Sequence, residues 1–440
     1  MGNNKITEFI DNSSFSRFHI TLVALGVFLI TFTGYGATAY GSVIPLLFGE
    51  WTYLNADILG YIGGLSEFGS LFGALFFGMI SNKTGIKKNL IIAAMIFCVA
   101  TFAQAFAPSA QILAILRAIA GFGFGGVIPL VISLLQEYTP KSSKGKSIAI
   151  ALCGNQFGAI IAALVAIVVT SQLQWRPVFY IGLIPIILLP LIIMLTPEST
   201  LFMAKKGDVQ GIEKVLKRID VNYAEKLNVS EVLQEISETV TTQTKKVSYS
   251  DLLKGKYLVV TLLSCLNAIM GLLFINGVIV WLPNLMVEAG FELGSSIAFT
   301  IFLCSGTVVG SVFWAAVADK KGYRILLPTI YFLGSISLLL MGIKSTIIVL
   351  YIFVTLVGFF LFAAHSLLNA FVAGHYPAEL RTTAVSIPNS IGRVGGLLGS
   401  PIGGLLIANH VSVTGWFIVF AAMGFVCVLS FIVINLVTKK

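Results

Sequence analysis

The chain has 440 residues, of which 57% are hydrophobic and only 11% are charged. Roughly a quarter of the residues in a soluble domain are charged, so this composition excludes a soluble globular protein and indicates an integral membrane protein. The net charge of +9 would suit a nucleic-acid-binding protein. The basic residues are distributed as in a membrane protein, however, and we expect no nucleic-acid partner.

Twelve apolar stretches each cover the roughly 20 residues that a membrane-spanning helix needs. We number them segments 1 to 12; they comprise residues 19–48, 57–81, 89–106, 110–136, 147–170, 178–196, 257–287, 293–318, 324–343, 346–373, 383–408 and 412–437. Residues 1–18 form a polar lead, for which we expect a short helix along the membrane surface. Residues 197–256 are rich in both signs of charge and predict a solvated loop with one or two short surface helices.

The basic residues indicate the orientation of the chain in the membrane. All but four of the 28 Lys and Arg residues lie in the termini or in loops after even-numbered segments; the exceptions are Arg117, Arg176, Lys344 and Arg393. The positive-inside rule then places both termini in the cytoplasm. We expect a protein of the inner or plasma membrane of a bacterial-type cell, with anionic membrane lipids as neighbours.

Glycines spaced four residues apart occur in several segments and predict close contacts between helices. Gly69 and Gly73 form such a pair in segment 2, and Gly121 and Gly125 form one in segment 4. Two helices can approach closely at these positions because no Cβ separates their backbones. The pairs therefore favour a tightly packed bundle.

Two loops repeat one pattern at a distance of 237 residues. GMISNKTGIKKN follows segment 2, and AAVADKKGYR follows segment 8. A second pair, EYTPKSSKGKS after segment 4 and HYPAELRTTA after segment 10, recurs at nearly the same offset. This internal duplication predicts two six-helix halves, residues 19–196 and 257–437, with a site between them near the middle of the membrane.

Segment 11 contains a charge where charges are rare. At a rise of ~1.5 Å per residue, Arg393 lies about 18 Å from Arg381, near the middle of a ~30 Å hydrocarbon layer. Ser386 and Asn389 share its helix face through i, i+3, i+7 spacing. An intramembrane cation by default indicates an anionic partner, here a carboxylate. The alternatives are that Arg393 reaches to the membrane surface or binds backbone carbonyls of a neighbouring helix.

Two other charged residues lie inside apolar segments. Glu67 follows Asp57 by ten residues, so it lies about 15 Å deep at helical rise and is a candidate proton carrier. The alternative for Glu67 is a neutral carboxyl hydrogen-bonded to a neighbouring helix. Arg117 lies about 10 Å into segment 4 and either reaches outward or faces the cavity, where it would assist proton coupling.

Polar and aromatic side chains complete the candidate site. His365 and Asn369 are one turn apart in segment 10, and His365 is at a depth close to that of Arg393, which suits substrate binding or proton relay. Gln156 occupies the place in the first half that Arg393 occupies in the second, and Asn155 is next to it. The candidates to pack against an aromatic ring of a substrate are Tyr35, Tyr40, Phe274 and Trp281.

No sequence motif supports an enzyme. The chain has neither HExxH nor a GxSxG elbow, and its five cysteines lack the paired spacing of a zinc site. We therefore expect no catalytic residue, no metal and no cofactor.

Several stretches resemble the major facilitator superfamily of transporters. They are the duplicated loops, RAIAGFGFGG in segment 4 and PESTLFMAKKG after segment 6. Within this superfamily, the chain resembles the aromatic acid:proton symporters and their nicotinate-transporting relatives in IDNSSFSRFH, YGSVIP, QEYTP, WRPVFYIG and IGRVGG. The resemblance implies an all-α membrane protein with twelve transmembrane helices in two pseudo-symmetric six-helix bundles.

The resemblance also implies a function. It predicts proton-coupled uptake of a small aromatic carboxylate by alternating access, with Arg393 in the substrate pathway and a charged gate in the duplicated loops. The gating residues implied are Asn82, Lys83, Gly85, Glu137, Asp319, Lys320 and Gly322. The family pattern Asp-Gly-x-Asp in the first helix is Thr33-Gly34-Tyr35-Gly36 here. A coupling proton therefore falls to Glu67 or His365.

The sequence analysis predicts a monomeric secondary transporter that imports a small organic anion together with protons. One alternative is a facilitator or exporter of a neutral metabolite or drug, without proton coupling. An alternative of another class is a transporter-like receptor that binds its ligand without moving it.

Overall fold

The computed structural model of the protein describes residues 2–51, 53–170, 174–232, 255–376 and 378–438. Within these residues every regular secondary-structure element is a helix. Eleven of the helices are long and apolar enough to cross a membrane, and a bent pair of short helices supplies a twelfth crossing. The predicted all-α membrane fold is confirmed.

We call the twelve crossings spans 1 to 12, with the numbers of the predicted segments. The spans are Arg17–Glu50, Ala56–Thr84, Ile86–Gln104, Ala110–Tyr138, Lys144–Thr170, the bent span 6 described below, Gly255–Glu288, Leu293–Lys321, Tyr323–Leu340, Ile347–Gly374, Ala378–Ala408 and Val413–Val437. Their ends lie within a few residues of the predicted ones. Pro45 and the glycines of span 1 do not interrupt it, because its helix is continuous over 34 residues.

Span 6 is not the single helix that segment 6 predicts. It consists of a 3₁₀ helix, Arg176–Leu183, followed by Ile184–Ile187 and Leu189–Leu195, with a bend of 44°. A proline lies at the first or second position of each piece. Proline lacks the N–H that an interior helix position donates, so three prolines in fourteen residues favour short pieces over one helix. Span 10 is also irregular, with a π-helical turn over Gly358–Phe362.

Glycine contacts hold the spans close together, as the four-residue spacing predicts. A Cβ on Gly73 would overlap the carbonyl oxygen of Phe122 in span 4, and a Cβ on Gly121 would overlap that of Ser66 in span 2. Likewise, a Cβ on Gly395 of span 11 would overlap the carbonyl oxygen of Ile269 in span 7. Because the helix backbones approach so closely at these glycines, the side chains next to the contacts have little room to move.

The N-terminal lead and the start of the central loop form short helices that pack one face against the protein. The lead forms the helix Gly2–Asp11, and the loop forms the helix Val209–Ile219. Ile10 is 1% exposed and Ile212 is 0% exposed, and both belong to one apolar cluster with spans 1 and 4. Every third or fourth residue of each helix is apolar, so each buries one face.

The two sets of six spans touch on the side away from both termini. Near the end of span 1, a Cβ on Gly41 would lie 2.8 Å from the carbonyl oxygen of Ile279 in span 7. Near the start of span 2, a Cβ on Gly60 would lie 2.8 Å from the carbonyl oxygen of Ser400 in span 11. Toward the terminus side, Asn389 of span 11 is exposed. Spans of the two sets are therefore in close backbone contact on the side away from the termini.

Candidate functional site

Arg393 lies at the point where span 11 passes span 2. Its side chain is half-buried, and Nη1 donates a hydrogen bond to the hydroxyl of Ser70. Within the described part of the chain, the guanidinium has no other hydrogen bond and no ion pair with a carboxylate. Arg393 therefore makes no hydrogen bond to a backbone carbonyl of another described span. Several of its N–H donors are available to an anion.

Glu67 lies one turn before Ser70 on span 2, close to the same part of span 11. A Cβ placed on Gly396 would lie 3.3 Å from Glu67 Oε2 and 3.1 Å from Asn276 Nδ2. Spans 2 and 7 therefore bring a carboxylate and an amide to the bare backbone of Gly396, one turn after Arg393 on span 11. Arg393 and Arg117 are the two charges that act on the Glu67 carboxylate.

Sequence reasoning did not select Ser70, Asn276 or Gly396 as site residues. Ser70 follows Glu67 by three residues and Gly396 follows Arg393 by three, whereas Asn276 has no such spacing to a predicted site residue. Helical spacing places such pairs on one face, so the i, i+3 neighbours of intramembrane charges were the available signal.

Arg117 is packed inward and is only 3% exposed. Its Nη1 donates to the carbonyl oxygen of Gly36 at 3.2 Å, and the guanidinium lies 4.4 Å from the centre of the Tyr40 ring. The Tyr40 hydroxyl in turn donates to the carbonyl oxygen of Leu59 at 2.7 Å. Of the two sequence alternatives, outward or inward, Arg117 takes the inward one and ties span 4 to span 1.

His365 lies on irregular span 10, beside the backbone of Gly271 in span 7, and its side chain is half-buried. Its Nδ1 is buried and has no hydrogen-bond partner within the described residues. Asn369 is exposed one turn away. On span 5, Asn155 and Gln156 are half-buried, and their side chains make no hydrogen bond to another described residue. These polar groups remain available to a ligand.

The four aromatic candidates are more deeply packed than ring-binding residues at an open surface. Tyr35 is 2% exposed and its hydroxyl donates to the carbonyl oxygen of Val178. Phe274 is fully buried, with its ring centre 5.8 Å from that of Phe362. Trp281 is also fully buried, and its Nε1 donates to the carbonyl oxygen of Ser400 at 2.8 Å. A ligand reaches these rings only if the spans move.

The first gate loop is anchored by a carboxylate that sequence reasoning did not select. Glu198 Oε1 accepts hydrogen bonds from the backbone N–H groups of Ile86 at 2.7 Å, Lys87 at 3.1 Å and Ser199 at 2.9 Å. A carboxylate at the start of span 3 also interacts favourably with the positive end of the helix dipole. Gly85, with φ of 95°, makes the turn there, in a conformation that favours glycine.

Glu137 extends this connection to span 4. Its Oε1 accepts from the Ser199 hydroxyl at 3.1 Å and from the backbone N–H of Leu201 at 3.0 Å. The terminus-side ends of spans 3, 4 and 6 are thereby joined. Lys83 lies in the last turn of span 2; the side chain of Asn82 lies outside the described residues.

The second gate loop shows no comparable anchor within the described residues. Asp319 and Lys320 are both exposed at the end of span 8, and Gly322 makes the turn with φ of 77°. The two duplicated loops thus share their backbone turn and differ in their side-chain contacts.

Comparison with known proteins identifies the family. The sequence profile of the family described as sugar (and other) transporter matches residues 37–434, which is most of the chain. The chain belongs to this transporter family. It is therefore an integral membrane transporter and not an enzyme, as the sequence predicts.

Several relatives of this transporter are named for the aromatic acids that they transport. It is 28% identical to the benzoate transport protein of Acinetobacter baylyi, over 99% of this chain and 93% of the relative. It is 29% identical to the gentisate transporter of Corynebacterium glutamicum, over 93% of this chain and 86% of the relative. The niacin transporter of A. baylyi is 26% identical over 92% of this chain and 90% of its own length.

Solved structures confirm the fold. The xylose transporter XylE of E. coli in its inward-open conformation superposes with a TM-score of 0.75, at 18% identity, over 94% of this chain and 95% of that one. At this identity the likeness shows the fold alone. The transporter therefore has the major facilitator fold that its resemblance implied.

Proposed function

We propose that this transporter imports a small aromatic carboxylate together with a proton, by alternating access. The observation that carries the proposal is the guanidinium of Arg393, half-buried in the interior with one neutral hydroxyl, that of Ser70, as its hydrogen-bond partner among the described residues. Guanidinium binds carboxylate through two parallel N–H···O bonds, which give both affinity and orientation. The relatives named for benzoate, gentisate and niacin support the aromatic class of substrate.

In this proposal, the polar side chains of the site bind the substituents on the aromatic ring of the substrate. Asn389 is on the same helix as Arg393, and Asn369 and His365 face the interior from span 10 in this proposal. Asn155 and Gln156 contribute from span 5. Their side-chain donors and acceptors would bind hydroxyl groups or a ring nitrogen of the substrate, because polar groups enclosed with a ligand need hydrogen-bond partners.

Ring packing and proton coupling complete the proposed site. Tyr35, Tyr40, Phe274 and Trp281 lie behind its polar surface and would contact the ring when spans 1 and 7 move. The candidates for the coupling proton are Glu67, His365 and Arg117. No acid occupies the interior face of span 1, since Thr33 and Gly36 stand at the relevant positions.

In the transport cycle, the halves 19–196 and 257–437 rock against each other around the site. The terminus side, which the proposal places in the cytoplasm, closes through the gate residues Asn82, Lys83, Gly85, Glu137, Asp319, Lys320 and Gly322. The proposed setting is a monomer in a bacterial-type inner or plasma membrane, surrounded by anionic lipids.

Uptake into liposomes with an imposed pH gradient tests the proposal. We expect reconstituted protein to accumulate labelled benzoate or 4-hydroxybenzoate above the external concentration when the interior is alkaline. Protein-free liposomes under the same gradient correct for passive entry of the neutral acid. Saturable uptake that only equilibrates would favour the facilitator, and binding without counterflow would favour the receptor. Either result contradicts proton symport.

A further inference from the structure

Glu67 is a carboxylate that lies beside the proposed anion site. Its Oε2 and the Nδ2 of Asn276 approach the backbone of Gly396, one turn after Arg393. Ser70, one turn after Glu67, accepts the hydrogen bond from Arg393. The carboxylate and the guanidinium thus lie on facing surfaces of spans 2 and 11, which belong to different halves of the chain.

The charges around Glu67 come from two neighbouring spans. Span 11 contributes Arg393 and span 4 contributes Arg117, and both attract the carboxylate. Span 1 contributes the neutral phenol of Tyr40, which lies under Arg117, and span 7 contributes the neutral amide of Asn276. Span 3 carries its charges, Lys87 and Lys88, at its start, and the short helix Thr200–Lys205 carries its one charge, Lys205, at its end.

This arrangement has two cations and one acid. Arg393 and Glu67 do not form an ion pair in this structure, so the acid lies near the arginine without occupying its donors. Glu67 is half-buried, so part of its surface is exposed. A second carboxylate that binds Arg393 would therefore lie close to Glu67, in surroundings where like charges repel strongly.

We propose that Glu67 takes up the coupling proton when the substrate carboxylate binds to Arg393. This inference rests on the proposed function. The substrate anion neutralises the cation that favours ionised Glu67 and adds a negative charge beside it, so a proton moves from water to the Glu67 carboxylate. Substrate and proton enter the site together and leave together on the other side, and Arg393 keeps its charge throughout.

Thermodynamic linkage makes the effect reciprocal. If the bound anion favours protonated Glu67, then protonated Glu67 favours the bound anion by the same factor. The affinity for the anion therefore rises as the pH falls, by up to about tenfold per pH unit over the range in which Glu67 titrates on binding. Arg117 keeps one positive charge beside Glu67 at every step, which allows the proton to leave again.

Calorimetry on the purified full-length protein tests this inference with benzoate as the probe. The number of protons taken up per bound benzoate is measured in two buffers with different ionisation enthalpies. We expect wild-type protein to take up close to one proton at the pH of greatest coupling. Glu67→Gln should bind benzoate with no proton uptake, and its affinity should change by less than about twofold between pH 5.5 and 8.0.

Glu288→Gln is the matched control, because Glu288 lies at the end of span 7, where it accepts from Asn284 at 2.8 Å. It should retain wild-type proton uptake. Glu67→Asp retains a carboxylate and should also retain proton uptake, so it replaces Glu67→Gln if that variant fails to insert. Proton uptake that persists in Glu67→Gln, or that is absent in Glu67→Asp, would overturn the role of Glu67. If wild-type protein binds no aromatic acid, the proposed function itself fails.

Discussion

We expect Arg393→Leu to abolish uptake of aromatic carboxylates in cells while the protein still inserts into the membrane. The variant removes the proposed partner of the substrate carboxylate and the one hydrogen bond to Ser70. Truncating one partner of a hydrogen-bonded charge pair costs about 2–5 kcal/mol, which corresponds to roughly 30-fold to several-thousand-fold weaker binding. Initial rates of labelled 4-hydroxybenzoate uptake, normalised to membrane-inserted protein, provide the measurement.

Two other variants separate charge from geometry in this experiment. Arg393→Lys retains the positive charge without the planar fork, so uptake should persist with a KM raised by roughly tenfold or more. Arg176→Leu removes an exposed arginine that pairs with Glu50 at 2.6 Å at the far end of span 1, away from the site. It should retain most of the uptake. Normal uptake by Arg393→Leu would remove the basis of the proposed anion site.

The second large effect concerns the contact between spans 2 and 4. Gly73→Ala should strongly destabilise the protein, because the new Cβ overlaps the carbonyl oxygen of Phe122 and backbone atoms cannot swing aside. Overpacking typically costs about 1–3 kcal/mol, and contact with a backbone places this site at the upper end. Span 2 also carries Glu67 and Ser70, so uptake should fall together with the melting temperature of the detergent-solubilised protein.

Gly78→Ala provides the control in the same helix. Gly78 is five residues further along span 2, and a Cβ there would have no neighbour within 4 Å. Replacing a mid-helix glycine by alanine in open space is neutral or stabilises by roughly 0.5–1 kcal/mol. A lower melting temperature in Gly78→Ala than in Gly73→Ala would show that helix propensity, and not the close contact of spans 2 and 4, determines the effect.

The sequence predicted well the features that depend on the lipid environment of the helices and on the spacing of residues along one helix. Spans have to be apolar over about 20 residues, so their positions were readable from composition alone. The contact at Gly73 and Gly121 followed from four-residue spacing. The isolated Arg393 stood out because a charge at mid-membrane is costly.

Other features depended on tertiary packing that spacing does not specify. Trp281 stood out as an aromatic candidate, but its burial against span 11, where its N–H donates to the carbonyl oxygen of Ser400, was not readable from the sequence. The inward turn of Arg117 depends on Gly36 and Tyr40 in another helix. The burial of Ile212 in the central loop required a docking surface on spans 1 and 4, which the loop's own high charge did not indicate.

The most direct test of the account is the thermal stability of the purified protein with a panel of ligands. A ligand that binds only the folded state stabilises it by about 2.7 kcal/mol at one hundred times its Kd. We expect benzoate, hydroxybenzoates or nicotinate to raise the melting temperature of the wild-type protein by several degrees and to leave that of Arg393→Leu unchanged. Stabilisation only by sugars or cationic drugs, or an aromatic-acid shift that persists in Arg393→Leu, would contradict the proposed carboxylate site.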